Sequence, residues 1–315
     1  MTVELSKLGN FVYFGTSEFS AQILQSLLQA GLKPILVVTN TPKPIGRNMK
    51  ISPTPVAQAA QSAGLKLLEV TSLKKEEIQK ILVDYSTHFA ILAAFGKIIP
   101  QNILNIYPKG IINVHPSFLP LYRGPSPIQS AIYDGNKETG VSLIILDEEV
   151  DHGPILMQDK CTIEESDDYL SLANKLATIA TRLLLCTLPA YLDNTISPVA
   201  QDHTQATFTK MISREDGQAN FAKTANELNK QRQAFMPWPG LWTRWNGKRL
   251  KLIDTSVSDI QIPAGQIKIT DSVLLIGCSQ DSLRVHTLQL EGGKILSAAD
   301  FIRGHKNLNN TILAS

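Results

Sequence analysis

Short, continuously apolar runs alternate with helical segments through the first hundred residues, and this alternation constrains the fold most strongly. The apolar runs lie at residues 11–15, 34–39 and 89–95, and a further short strand is predicted at 67–70. The segment after the first run can begin a helix at Ser17 or Ser20, and 74–83 is amphipathic with a helical period. Strands without polar alternation, joined through helices, are typical of a parallel sheet. The sequence therefore predicts an α/β domain with a mostly parallel sheet and helices on both faces.

Length and composition indicate a folded protein with two domains. A chain of 315 residues is long for one hydrophobic core. Hydrophobic residues make up 43% and charged residues 18%, as in globular proteins. The net charge of +2 neither requires nor excludes a nucleic-acid partner. The three cysteines have no CxxC spacing, no signal peptide is recognisable and no apolar run approaches the ~20 residues of a membrane span, so we expect a cytoplasmic protein without membrane contact.

A polar pair at the end of the apolar run 110–114 is the best candidate for chemistry in the first domain. Asn113 and His115 are two residues apart, so in a strand both side chains point to the same face. Pro116 and Pro120 then end the strand. A carboxamide beside an imidazole can stabilise a developing oxyanion and transfer a proton. The alternative is a strand that simply frays into a proline-rich loop.

The turn at Phe95 and Gly96 belongs to the same rim as Asn113 and His115, because open parallel sheets bind ligands beyond the carboxyl ends of their strands. Gly15 lacks the partners of a GxGxxG motif, and Asn40 stands where an acidic residue would bind a ribose, which argues against a nicotinamide cofactor. Asp151, in the acidic loop 147–151, is the carboxylate best placed to serve His115. A solvated acidic turn also explains that loop.

The loop after the second strand is basic. Residues 41–50 contain Lys43, Arg47 and Lys50 and no acidic residue. Spaced cations in a surface loop suit contacts with phosphates. From the residues alone, a solvated linker that happens to be basic is the favoured interpretation.

The second half of the chain has a different pattern. An apolar stripe predicts a long helix at 166–190, and residues 195–209 are polar and irregular. Short strands are predicted at 244–252, 265–269, 273–277 and 283–290. Their even spacing is typical of a small barrel. We therefore predict a catalytic domain, a linker and a second domain at 1–203, 204–210 and 211–315.

Four blocks stand out by their order and spacing: Asn113-x-His115-Pro-Ser-Phe-Leu-Pro, Arg123-Gly124-x-Ser126-Pro127-Ile128-Gln129, Thr139-Gly140-Val141-Ser142 and Asp151-x-Gly153-x-Ile155. Together they resemble the formyltransferases that use 10-formyltetrahydrofolate. The resemblance implies a catalytic trio of Asn113, His115 and Asp151. It also implies 10-formyltetrahydrofolate as the formyl donor and no metal.

The resemblance further indicates where the folate binds. In this family the main chain of two loops holds the pterin, and a segment that is usually Ser-Leu-Leu-Pro lines the same site. Phe118 replaces the first of those leucines. The corresponding residues in this chain are Phe95, Gly96, Lys97, Ile98, Asp147, Glu148, Glu149 and Val150 in the two loops, and Ser117, Phe118, Leu119 and Pro120 in the third segment.

The second half resembles the members of the family that act on initiator methionyl-tRNA. The run Gln-Ala-Phe-Met-Pro-Trp-Pro-Gly at 233–240 is close to their Arg-Ala-Phe-Asn-Pro-Trp-Pro signature. The resemblance implies a Rossmann-like domain followed by an OB-like barrel that helps hold the tRNA, and it makes phosphate contact the favoured interpretation of the basic loop. The expected tRNA contacts are Lys43, Arg47 and Lys50 in that loop and Lys223, Lys230 and Arg232 in a helix at 223–235. Among the tryptophans, we expect core residues rather than stacking platforms at Trp238, Trp242 and Trp245.

The implied reaction is transfer of a formyl group to the amino group of methionine on tRNA, by a monomer. Asn113 and His115 would stabilise charge on the formyl oxygen. Asp151 would favour the charged imidazole and order a water for proton transfer. Three other functions remain open: formylation of an amino sugar nucleotide, hydrolysis of 10-formyltetrahydrofolate, and a non-enzymatic RNA-binding role of the barrel.

Overall fold

The computed structural model describes residues 8–42, 44–45 and 50–313, without the side chains of Pro44, Ile45 and Lys50. Contacts divide the chain into two compact units. The first unit consists of Met1–Pro127, Glu138–Thr162 and Ala173–Thr209, and the second of Ile128–Lys137, Ile163–Leu172 and Lys210–Ser315. The second unit therefore includes two short segments that precede residue 210 in the sequence. The predicted domain limits at 203 and 211 stay a prediction.

A seven-stranded sheet forms the centre of the first unit. Its strands are β1 (Phe11–Gly15), β2 (Leu36–Asn40), β5 (Leu67–Val70), β6 (Phe89–Ala93), β7 (Ile111–His115), β8 (Glu138–Ile145) and β9 (Ile155–Thr162), while β3 (Pro44–Ile45) and β4 (Lys50–Ile51) form a separate antiparallel pair. The order is β5-β2-β1-β6-β7-β8-β9. The pairs β7–β8 and β8–β9 are antiparallel, and all other neighbouring pairs are parallel. The mostly parallel Rossmann-like sheet is confirmed. The prediction missed β9, an edge strand in which polar residues are as frequent as apolar ones.

Helices cover both faces of this sheet, as predicted. In this unit they are α1 (Glu18–Gln29), α2 (Pro55–Ser62), α3 (Glu76–Asp84), α4 (Gln101–Leu104) and, from residue 173 onwards, α6 (Tyr169–Leu192). The helix α5 (Pro127–Tyr133) belongs, from residue 128 onwards, to the second unit. On one face, the hydroxyl of Tyr13 in β1 donates to the carbonyl of Ser20 in α1. The next residue, Phe14, lies in a buried cluster with Ile78 of α3 and Ile103 of α4. Because neighbouring residues of a strand face opposite sides, α1 and the α3/α4 pair cover different faces.

The helix α6 corrects one expectation. It is 24 residues long and, by length and composition, it is apolar enough to cross a membrane, so the statement that no apolar run approaches that length was wrong. Half of its most apolar window is buried inside the structure. The buried residues form a stripe of Leu172, Leu176, Ala180, Leu184 and Leu188. Such a stripe is typical of a core helix.

The second unit contains a six-stranded antiparallel sheet. Its elements are α7 (Ala225–Phe235), β10 (Leu241–Trp245), β11 (Lys248–Ser258), β12 (Ile267–Thr270), β13 (Val273–Gly277), β14 (Ser282–Leu290), β15 (Ile295–Ser297) and α8 (Ala298–Gly304). The strand order is β10-β11-β14-β13-β12, and β15 pairs with β14. This sheet confirms a β domain after the α/β domain.

Two local predictions in the second unit were wrong. The strand predicted at 244–252 is interrupted by a hairpin turn at Asn246 and Gly247, whose φ angles are 49° and 75°. Asn-Gly favours such two-residue turns because both residues tolerate positive φ. Trp242 and Trp245 are buried as expected, but Trp238 is 54% exposed.

Candidate active site

The structure brings Asp151 to the polar pair on β7. Asn113 Nδ2 donates to Asp151 Oδ1 at 3.1 Å, and His115 Nδ1 lies 3.4 Å from the same oxygen. Asn113 and His115 are buried, and the side chain of Asp151 is 13% exposed. Asn113 and His115 lie opposite Ile144 and Ser142 of β8, and Asp151 lies in the connection from β8 to β9. The three predicted residues therefore form one cluster, and their catalytic roles stay a prediction.

Both ring nitrogens of His115 face oxygen atoms. Nε2 donates to the backbone carbonyl of Tyr122 at 2.9 Å, because a carbonyl oxygen can only accept. Nδ1 faces the Asp151 carboxylate. An imidazole with N–H groups on both nitrogens satisfies both oxygens. The ring is thus fixed from two sides.

The Asp151 carboxylate has a different partner for each oxygen. Oδ1 faces Asn113 and His115, whereas Oδ2 accepts a hydrogen bond from the backbone N–H of Gly124 at 2.8 Å. Gly124 has φ of 106°, and a Cβ there would lie 2.9 Å from the carbonyl oxygen of Thr209. Only glycine fits this position without displacement of the chain. The chain around Gly124 therefore places one donor for the carboxylate.

Two buried residues that the sequence reasoning missed complete the cluster. Gln201 Nε2 donates to the carbonyls of Asp151 and Gly153, and Arg123 donates from Nε and Nη2 to Gln201 Oε1. Arg123 belongs to a quoted motif, but nothing in the sequence assigned it a partner. Gln201 lies in a segment that looked irregular, and no sequence signal distinguishes it.

The segment 204–210, predicted as a linker, contributes to the same region. The Thr207 side chain accepts a hydrogen bond from the backbone N–H of Tyr122 at 2.8 Å. Phe208 forms a parallel bridge with Arg123, and its ring lies 5.9 Å from the guanidinium carbon. The Phe208 side chain is 70% exposed. This segment thus covers Arg123 and Gly124 on the outer side.

The first predicted folate segment, Phe95–Ile98, follows β6. Phe95 is buried, and its carbonyl accepts from Thr16 Oγ1 at 3.0 Å and from Asn40 Nδ2 at 2.7 Å. Asn40 thus orders the turn after β6. Within the part of the chain that the structure describes, no hydrogen bond engages the backbone of Gly96, Lys97 or Ile98. The main chain beyond Phe95 is therefore available to a ligand.

The second predicted folate segment, Asp147–Val150, is ordered by His152. The Asp147 carboxylate accepts from the Glu149 backbone N–H at 3.1 Å and lies 2.6 Å from His152 Nδ1. His152, to which the sequence reasoning assigned no role, stacks on His203 with ring centroids 4.0 Å apart. Glu148, Glu149 and Val150 are exposed. The loop is anchored at Asp147 and presents its outer residues to solvent.

The third predicted segment, Ser117–Pro120, is bound to the antiparallel edge of the sheet. Ser142 Oγ donates to the Ser117 carbonyl at 2.6 Å and accepts from the Leu119 N–H at 3.0 Å. Gln158 donates to the Leu119 carbonyl at 2.8 Å. The Phe118 ring lies 5.7 Å from the Lys160 ammonium. A Cβ on Gly140 would lie only 3.0 Å from the ring. The segment has a fixed shape, and Phe118 packs over β8 and β9.

We expect Phe118→Leu to keep activity and to change the Michaelis constant for the folate only modestly. The resemblance places this residue in the wall of the folate site, and leucine conserves the apolar surface there. The exchange removes only the ring contacts with Gly140 and Lys160. Steady-state kinetics with varied folate measure the effect. An unchanged constant, together with a ligand-bound structure in which Phe118 faces away from the folate, would refute the assignment.

The six predicted tRNA contacts divide into two groups. Lys43 and Arg47 lie outside the described residues, as does the side chain of Lys50. Lys223, which precedes α7, donates from Nζ to the Tyr133 hydroxyl at 2.5 Å. On α7, Arg232 lies 4.0 Å from Asp254, and burial lowers the pKa of its guanidinium. A Cβ on Gly135 would collide with Lys230 Nζ at 2.3 Å. These three cations thus contact residues of their own unit.

A second group of cations, not predicted from the sequence, lies on the β10–β11 hairpin. The Trp242 ring has the guanidinium carbons of Arg249 and Arg244 at 4.7 and 6.0 Å. Lys251 lies opposite Trp242 across the hairpin. Burial and the nearby cations Arg249 and Arg214 lower the pKa of Lys251. Mutual proximity of these cations gives this face a concentrated positive charge.

Comparison with known proteins identifies the class to which this fold and cluster belong. Residues 9–188 match the formyl transferase family, and residues 211–306 match the formyl transferase C-terminal domain. The chain therefore belongs to the formyl transferase family.

Curated relatives resemble the chain over nearly its whole length. The methionyl-tRNA formyltransferase of Caldicellulosiruptor saccharolyticus is 36% identical over 312 residues, which cover 97% of this chain and all of the relative. That of Roseiflexus castenholzii is 37% identical over 297 residues, or 93% of this chain and 95% of the relative. The similarity thus includes both units.

Solved structures with lower identity share the fold. An N-formyltransferase from Helicobacter canadensis, solved with folinic acid and dTDP-3-aminofucose, has a TM-score of 0.63 at 18% identity and covers 88% of this chain and 98% of its own. HypX from Aquifex aeolicus, solved with tetrahydrofolic acid, has a TM-score of 0.65 at 14% identity and covers 97% of this chain and 49% of its own. These similarities support the architecture alone.

Proposed function

We propose that this protein transfers the formyl group of 10-formyltetrahydrofolate to the amino group of methionine on initiator methionyl-tRNA. The observation that supports this proposal most strongly is the similarity to a methionyl-tRNA formyltransferase over 97% of this chain and all of the relative. The geometry of Asn113, His115 and Asp151 supports the same proposal. Folates bound in distant structural neighbours support a folate-derived donor. We further propose a cytoplasmic monomer, and the three free thiols suit a reducing compartment.

The residues of the rim fit a folate. The unengaged backbone of Gly96–Ile98 can exchange hydrogen bonds with a pterin, and 148–150 offer a second exposed segment. Leu119 and Pro120 supply a shaped wall held by Ser142 and Gln158. When bound, 10-formyltetrahydrofolate supplies a formyl carbon joined to N10. In this arrangement the protein orients that carbon, and the main chain of the two loops binds the pterin.

Asn113 and His115 are suited to the charge that develops on the formyl oxygen. Attack by the methionine amine turns the carbonyl oxygen into an oxyanion, which preorganised donors stabilise. Asn113 Nδ2 carries two N–H groups, of which Asp151 accepts one. His115, when protonated, stabilises the oxyanion directly, and Tyr122 and Asp151 hold its ring in place. These two residues therefore act on the same oxygen.

Asp151 is suited to the proton that the amine must lose. Its carboxylate lies beside both other residues and can order a water that carries the proton from the amine towards N10. Gly124 holds the second carboxylate oxygen in place. The step requires neither a metal nor a covalent intermediate on the protein.

The tRNA must place its aminoacyl end at this rim. Phosphate contacts orient a nucleic acid and make its binding depend on salt. We assign such contacts to Lys43, Arg47 and Lys50 in the loop after β2. The cations around Trp242 on the β10–β11 hairpin provide a second positively charged face within their own unit.

We expect Arg47→Ala to raise the Michaelis constant for methionyl-tRNA and to reduce its salt dependence, with the folate constant unchanged. One lost phosphate contact should lower the slope of log affinity against log salt by about 1. Kinetics at several salt concentrations measure both effects. Equal constants and equal slopes for the variant and the wild type would mean that the tRNA is held elsewhere.

The acceptor specificity tests the proposal. Purified protein is incubated with 10-formyltetrahydrofolate and one acceptor in turn: methionyl-tRNA, an amino sugar nucleotide, or buffer alone. The proposal predicts a kcat/KM for methionyl-tRNA that far exceeds the value for the sugar nucleotide, with slow formate release in buffer. Preference for the sugar nucleotide, or rapid formate release without any acceptor, would contradict it.

A further inference from the structure

The backbone of Asp151 adopts a conformation that needs support. Its φ is +50°, in the left-handed region that residues with a Cβ rarely adopt. Such a conformation persists only when surrounding contacts hold it. The same residue directs its carboxylate at Asn113, His115 and Gly124. The contacts that fix the Asp151 main chain therefore also fix the direction of the carboxylate.

Gln201 supplies those contacts. Its Nε2 donates to the carbonyl of Asp151 at 2.9 Å and to the carbonyl of Gly153 at 2.8 Å, so one amide group uses both N–H bonds on the same short loop. Gln201 is 6% exposed. The segment that carries it is joined to the start of β9 by two backbone hydrogen bonds between Val199 and Ile155, of 2.8 and 2.7 Å. Gln201 is thus a buried residue that binds the backbone on both sides of His152.

Arg123 fixes the orientation of the Gln201 amide. Its Nε and Nη2 lie 3.2 and 2.7 Å from Oε1, and a guanidinium can only donate, so Oε1 must face Arg123 and the NH₂ must face the loop. Arg123 Nη2 also donates to His203 Nδ1 at 2.8 Å. The residue that follows Arg123 is Gly124, whose N–H binds the Asp151 carboxylate. The Arg123 side chain therefore acts on the Asp151 backbone through Gln201, and the Gly124 main chain binds the Asp151 carboxylate directly.

We propose that Gln201 is a positioning residue of the formyl transfer, which holds Asp151 in the conformation that directs its carboxylate at Asn113 and His115. The inference rests on the proposed function. Gln201 acts through Asp151 and does not touch the reacting atoms. Its contribution should consequently appear in kcat, and it should disappear when Asp151 has already lost its carboxylate.

The test is a double-mutant cycle with Gln201→Glu and Asp151→Asn. Glutamate keeps the length of the side chain and an acceptor for Arg123, but it places an oxygen opposite the two carbonyls. We expect Gln201→Glu to lower kcat for methionyl-tRNA at least ~10-fold, since small displacements of a reacting group are costly. The Michaelis constant for the folate should stay within about twofold. In the Asp151→Asn background the same change should alter kcat less than about twofold.

A matched control exists in the second unit. Gln231 is also buried, and its Nε2 donates to the carbonyls of Asp216 and Gln218 at 2.7 and 3.1 Å. Gln231→Glu should also lower the thermal midpoint, while kcat stays near the wild-type value. If Gln201→Glu does not fold, Gln201→Leu, which removes both donors without adding a charge, replaces it in the cycle.

Two outcomes would overturn the inference. One is a kcat of Gln201→Glu within twofold of the wild type. The other is an equal loss of kcat in the wild-type and Asp151→Asn backgrounds, because a general structural role is additive with the loss of the carboxylate. Failure of the proposed function is a separate result: the wild type would then not formylate methionyl-tRNA at all.

Discussion

His115→Ala and Asp151→Asn should each lower kcat for formylation of methionyl-tRNA at least ~100-fold, the scale of losing a general acid–base group or an oxyanion donor. His115→Ala removes the contacts with Tyr122 and Asp151, and Asp151→Asn removes the negative charge beside the imidazole. Folate affinity should change much less, because the main chain of the two loops is expected to hold the pterin. Rapid-quench kinetics and equilibrium folate binding separate the two effects.

A control variant shows whether the loss is specific. His286 lies in the second unit, where its Nε2 is 2.8 Å from Ser256 Oγ, and His286→Ala should leave kcat near the wild-type value. Near wild-type turnover in His115→Ala or Asp151→Asn would remove that residue from the trio. A large loss of folate affinity would instead assign it to binding.

Gly153→Ala should lower kcat roughly 100-fold, because displacement of a catalytic group by about 1 Å has an effect of that size. Gly153 is buried in the β8–β9 connection, two residues after Asp151. A Cβ there would lie 1.8 Å from the backbone oxygen of Ile145, the last residue of β8. The loop must move outwards, and Asp151 moves with it.

The matched control is Gly304→Ala at the end of α8. A Cβ at Gly304 meets no atom within 4 Å, so the same exchange should alter neither kcat nor the thermal midpoint. Gly153→Ala should lower both. Retention of more than half of the wild-type kcat in Gly153→Ala would show that the position of Asp151 does not depend on the packing of this loop.

Local sequence patterns were sufficient for the main strands and for the polar pair of the site. The strands β1, β6 and β7 are buried along their whole length, and such apolar runs are recognisable from the sequence of each strand alone. Asn113 and His115 could be assigned to one face because their spacing of two is fixed by strand geometry. The strand β9 could not be predicted, because at the sheet edge its exposed residues are free to be polar.

Long-range contacts explain what the sequence could not provide. Asp151 was chosen from four acids in its loop, but its hydrogen-bond partners Asn113 and Gly124 lie in distant parts of the chain. Gln201 lies 50 residues further along, and its role depends on where the segment beside Ile155 places one amide group. Likewise, the cations around Trp242 meet because a hairpin pairs β10 with β11. No local sequence pattern in these segments predicts which distant residues they contact.

A single-turnover experiment tests the central claim most directly. The protein, in excess over methionyl-tRNA, is mixed with 10-formyltetrahydrofolate, and both the formylated amine and the released tetrahydrofolate are quantified over time. We predict one formyl group on the methionine amine for each tetrahydrofolate released. Release of tetrahydrofolate and formate with the methionyl-tRNA unchanged would contradict the account.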